Sequence, residues 1–105
     1  MADKINYYQQ AYQMLGGKAI QVNSNTSVTT ASAWEVSVDA NTTIIRVLAE
    51  NSTVFLKYDG SATSTDWDYV IPFGGVLDIH EDLANANTIS VISSTVDASV
   101  YVGQY

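Results

Sequence analysis

At 105 residues and 11.4 kDa, with 11 acidic against 4 basic side chains and a net charge of −7, the chain is the size of one domain, and its field repels phosphate backbones and anionic membranes. There is no cysteine, so disulfides and thiolate metal sites are excluded as sources of stability. Only 14% of residues are charged, which leaves Ser, Thr, Asn and Gln to cover much of the outside.

Residues 3–15 have helical periodicity. Ile5, Tyr8, Tyr12 and Leu15 recur at spacings that place them on one stripe, Asp3 can cap the start, and Gly16-Gly17 can stop the helix. An isolated helix this short does not hold in water, so the stripe must pack against its own domain or against another chain. Residues 1–17 are read as an N-terminal helix or arm, with those four side chains as the partner-binding surface. The segment Met1-Ala2-Asp3-Lys4 lacks the apolar core of a signal peptide, and no apolar run approaches the ~20 residues of a membrane span. A chain made in the cytosol is expected.

From Lys18 onward the signal is β, and residues 18–105 are read as one domain. Ala19 to Val22 forms a short strand, and the Ser/Thr/Asn-rich run from Asn23 to Ser32 is a loop or a weak edge strand. Trp34, Val36 and Val38 alternate with Glu35, Ser37 and Asp39. The stretch Thr42 to Glu50 is apolar on both faces and reads as a central strand; Asn51-Ser52 then turns the chain into Val54–Tyr58, which Asp59-Gly60 closes. Asp66 to His80 holds the only Pro and the only His, and reads as strand, tight turn, strand. Pro72 removes a donor and Gly74-Gly75 supplies positive φ, so a β-hairpin is expected there. Asp82 to Asn87 is a loop or one helical turn, and Thr88–Ser93 and Val96–Val102 form the last pair of strands.

Strand starts near 33, 42, 53, 67, 75, 87 and 96 have the rhythm of a sandwich or barrel. The fold class is therefore mainly β: an antiparallel β-sandwich of seven to eight strands in jelly-roll style, preceded by a short N-terminal helix or arm. Trp34, Ile45, Leu56, Ile71, Ile89 and Val100 are the expected inward side chains.

Chemistry is sparse. Asp59, Asp66 and Asp68 flank one loop, but their spacing matches no calcium loop, and such residues are expected at turns. Asp78 and His80 share a strand face close to Glu81 and Asp82, yet no nucleophilic Cys exists and no Ser lies in a G-x-S-x-G context. Trp34, Tyr58, Trp67, Tyr69 and Phe73 either fill a small β core or form a stacking platform for sugar rings. Asn25-Thr26-Ser27, Asn41-Thr42-Thr43 and Asn51-Ser52-Thr53 match the glycosylation sequon and read as turns. No catalytic, metal or cofactor residue is assigned.

The order of Thr53-Val-Phe-Leu-Lys-Tyr-Asp-Gly, Tyr69-Val-Ile-Pro-Phe-Gly-Gly, Thr88-Ile-Ser-Val-Ile-Ser and Ala98-Ser-Val-Tyr-Val-Gly-Gln-Tyr resembles small virion proteins of tailed bacteriophages, the auxiliary or decoration proteins of phage heads. The resemblance covers about residues 42–105 and leaves out the N-terminal stripe. It implies a non-enzymatic structural protein on the capsid surface that binds the major capsid protein or another virion protein as a homo-oligomer, with a trimer favoured. No cofactor is expected, and no nucleic-acid or membrane partner either, the last two from the charge balance and the lack of an apolar span. The alternative is a carbohydrate-binding module or a tail-associated adhesin domain.

Overall fold

The computed structural model describes residues 19–80 and 83–105, and within them eight strands build two four-stranded antiparallel sheets. The strands are β1 (Gln21–Val28), β2 (Trp34–Ser37), β3 (Ile45–Glu50), β4 (Val54–Tyr58), β5 (Tyr69–Ile71), β6 (Val76–Ile79), β7 (Thr88–Ser93) and β8 (Ala98–Gln104). One sheet has the order β1-β8-β3-β6 and the other β2-β7-β4-β5. Every connection but β4–β5 crosses from one sheet to the other, which is the interleaving of a jelly roll. The expected sandwich is what forms. The N-terminal helix or arm lies outside the described residues.

The core lies between the sheets and follows the alternation of each strand. Ile45, Val47 and Ala49 of β3, Val54 and Leu56 of β4, Ile89 and Val91 of β7, and Val100 and Val102 of β8 are each no more than 2% exposed. Five of the six expected inward side chains are fully enclosed, and Trp34 packs partly buried against them. A 3-10 turn at Leu83–Asn85 sends Leu83 into the same cluster.

At one element the structure decides between the two alternatives read from sequence, a loop or a weak edge strand, and at another it departs from the reading. Asn23 to Val28 extends β1 along β8 as an edge strand, with a bulge between Asn25 and Val28 where the register shifts. Its core-side positions are Gln21, Asn23 and Asn25, so no apolar alternation announces it, and backbone pairing with β8 carries it. The departure is Asp66–His80, which is an arch and not a hairpin: β5 pairs with β4 in one sheet, β6 with β3 in the other. The turn is closed by Gly75 N–H to Pro72 O at 2.8 Å, with Gly74 at φ +67°. One positive φ at the third turn position is the pattern of a type II turn, whose twist splays flanking strands, whereas hairpins favour the primed types. Ile71 and Ile79 are therefore free to enter the core from opposite sheets.

Candidate functional site

On β4, Val54 and Leu56 point inward, so Phe55 and Lys57 must point out of the sandwich. The ten-residue connection that follows folds back over this outer face instead of running into solvent. Ala62 N–H donates to the Ser90 hydroxyl at 2.7 Å, and both residues are buried. Thr63 and Asp66 form a one-pair bridge, and the Lys57 ammonium contacts the Asp66 carboxylate at 2.8 Å. That hydrogen bond, with Asp68 nearby, holds the Lys57 pKa above its usual value. Asp68 closes the loop by donating its N–H to Leu56 O and accepting Tyr58 N–H at 2.9 Å. The anchored loop lays Trp67 on Phe55, ring centroids 5.7 Å apart and planes 20° from parallel. Trp67 remains 42% exposed. Phe73, in the turn after β5, is 69% exposed, and its N–H is fixed to the Thr53 hydroxyl at the start of the same β4 face.

The aromatic residues named from sequence thus divide. Trp34, Tyr58 and Tyr69 pack against the core, Tyr58 and Tyr69 edge to face at 5.8 Å. Trp67 and Phe73 face outward and are joined by Phe55, which the sequence reading treated only as a strand residue. The available signal was parity: Phe55 is out of phase with Val54 and Leu56, and Trp67 stands between two aspartates.

The three loop acids each have a structural partner. Asp59 Oδ1 accepts the N–H groups of Asn87 at 2.7 Å and Thr88 at 3.0 Å, tying the end of β4 to the start of β7, while Asp66 and Asp68 hold the loop as described. Among the described residues no three His, Cys, Asp or Glu side chains gather as a metal-binding group.

Asp78 lies on the outer face of β6, while His80 falls one residue past the end of that strand. Asp78 is gripped by Arg46 across the β3–β6 ladder, Nε to Oδ1 at 2.6 Å and Nη2 to Oδ2 at 2.5 Å. The charged fork is the arrangement that guanidinium and carboxylate planes favour. His80 is exposed and lines an open depression with Asn41, Thr42, Thr43, Leu83 and Asn85. His80→Ala is expected to change stability by less than about 1 kcal/mol, read from urea midpoints, because a solvated side chain leaves no cavity and no orphaned partner. Glu81, Asp82 and the arm residues Ile5, Tyr8, Tyr12 and Leu15 lie outside the described residues.

No protein-family model matches the chain, and no curated protein matches it in sequence. Among solved structures, the crystal structure of protein NMB1881 from Neisseria meningitidis is similar, aligning over 90% of this chain and 95% of its own at 9% identity with a TM-score of 0.43. At that level the similarity says nothing about what this chain does.

Proposed function

We propose that this jelly roll is a non-enzymatic structural protein of a virion that decorates a tailed-phage capsid, and that it grips the capsid protein through the aromatic face of Phe55, Trp67 and Phe73. The observation that carries the reading is that face: large rings left outside a core that already absorbs three other aromatics, with Trp67 held by a loop whose backbone is bonded at Ala62, Thr63, Asp66 and Asp68, and Phe73 by the bond from its N–H to the Thr53 hydroxyl. Contiguous exposed apolar surface marks a contact site, and Trp is among the side chains most often found at the energetic centre of such contacts. The jelly roll supports the reading as an architecture of viral capsid domains, and the resemblance of residues 42–105 to phage decoration proteins points to the same class. The net charge of −7 opposes close packing of copies around a symmetry axis, so assembly on the particle tightens as salt screens it.

Binding to purified capsids of the cognate phage, followed by co-sedimentation, tests this directly. Trp67→Ala and Phe73→Ala together are expected to weaken binding by about 10-fold or more with little change in melting temperature. Capsid binding that survives the double substitution, or its absence in the parent protein, removes the proposal. The second reading, a sugar-binding platform, is favoured by the flat Phe55–Trp67 stack, and it predicts glycan-array signals that disappear with Trp67→Ala.

A further inference from the structure

The outer face of the β1-β8-β3-β6 sheet is covered in the middle and open at its rim. Leu48 and Arg46 of β3 project to this face, away from the core cluster, yet are 1% and 6% exposed. Gly103, opposite Arg46 on β8, is buried as well, and Tyr101 and Tyr105 on either side of it are half-buried. Around them Ile20, Val22 and Val76 remain 40–46% exposed. The covered strip therefore runs along β8 and β3, with a trough at Gly103, where there is no side chain, between the two tyrosines. Burial pushes the Tyr105 phenol up to about 12. Each described strand belongs to one of the two sheets, and the 3-10 turn sends Leu83 between them, so no described secondary-structure element is layered on this face.

We infer that the occupant of this strip is the chain's own N-terminal segment, residues 1–18, seated by the side chains of Ile5, Tyr8, Tyr12 and Leu15. The point of attachment fits: Ile20 N–H bonds to Gln104 O at 2.7 Å, so the segment joins the sandwich at the edge of this same sheet, beside Tyr105. The lengths fit too. Tyr101 to Tyr105 spans about 14 Å along an extended strand, and a helical stripe from Ile5 to Leu15 is about 15 Å long. The stripe offers two aliphatic and two aromatic side chains to a strip of Leu48, a glycine trough and two tyrosine rings. This places the stripe on its own domain and not on another chain, and it is independent of the capsid reading, which rests on the opposite sheet.

Because the chain has no cysteine, a single introduced thiol reports on cover at this face. In the full-length protein Leu48→Cys is expected to react slowly with a soluble disulfide reagent, and about 100-fold faster when Tyr8→Ser and Tyr12→Ser are added, with an unchanged β-type circular dichroism spectrum. Should Leu48→Cys fail to fold, Tyr101→Cys reads the same strip; should the tyrosine pair be too disruptive, Ile5→Ser replaces it. Equal labelling rates in the two backgrounds overturn the inference. Protection that fades on dilution overturns it as well, because the cover would then come from a second copy.

Discussion

Truncation of Ile45 or Leu56 to alanine is expected to cost about 2–5 kcal/mol, seen as a large drop in the urea midpoint. Both side chains are 0% exposed and sit in the central cluster, Ile45 on β3 between β8 and β6, and Leu56 on β4 between β7 and β5. Each is clamped on two sides by hydrogen-bonded neighbours, so the surrounding strands cannot collapse into the space left behind, and the cavity adds to the lost transfer energy. Total stability of a domain this size is about 5–15 kcal/mol, so either variant removes a large share of it. Lys57→Ala, one residue along but on the outer face, should leave the midpoint nearly unmoved. An Ile45→Ala protein that unfolds at the parental midpoint would place β3 in the opposite register.

That contrast between Leu56 and Lys57 was legible in the sequence because strand alternation is local: polar and apolar positions two residues apart report which face is buried. The same logic found the central position of β3, whose outward residues Arg46 and Leu48 are themselves buried. It left β1 open between a loop and a weak edge strand, because Gln21, Asn23 and Asn25 take the core side and the signal resides in backbone pairing that no side chain records. It misread Asp66–His80. Pro72, Gly74 and Gly75 do mark a turn, but whether the flanking strands pair with each other or with strands from elsewhere in the chain is decided by long-range partners, Val54 for Ile71 and Ile45 for Ile79. The candidate site was legible only in part. Trp67 and Phe73 were named as aromatics that could face outward, but the stacking of Trp67 on Phe55 depends on a loop held by Ser90, nearly thirty residues away in the chain, and Phe73 is placed by the bond from its N–H to Thr53, twenty residues away. The Arg46–Asp78 pair is a cross-strand contact of the same kind, and so Asp78 could be imagined beside His80 when its charge is already engaged.

Gln104 supplies the second large effect. Its side chain is 0% exposed, and it makes three hydrogen bonds: Oε1 accepts Asp39 N–H at 2.8 Å and the Thr42 hydroxyl at 2.7 Å, and Nε2 donates to Ser37 O at 2.9 Å. One amide thus ties the end of β8 to the crossing from β2 to β3, where the chain passes between sheets. Gln104→Ala strands the buried Thr42 hydroxyl and leaves the half-buried Asp39 N–H and the carbonyl of the exposed Ser37 to find other partners, and a buried group left unmatched costs about 1–3 kcal/mol, so a loss of about 2 kcal/mol is expected. Gln104→Glu separates the donor from the acceptor. Ionised, the new carboxyl still accepts from Asp39 and Thr42 but meets the Ser37 carbonyl with like charge in a buried place; protonated, it can donate to that carbonyl as the amide does. Burial raises the folded-state pKa of this carboxyl above its unfolded value of about 4.3. The folded state then holds the proton more tightly than the unfolded state, so stability relative to the parent falls as pH rises above about 4.3 and levels off once the folded-state pKa is passed. Urea titrations of parent and Gln104→Glu from pH 4 to pH 8 should show midpoints that nearly coincide at the acid end and separate toward neutrality. Midpoints that stay together at pH 8 would mean that the amide donor to Ser37 contributes nothing, and that the β2–β3 crossing is held by other contacts.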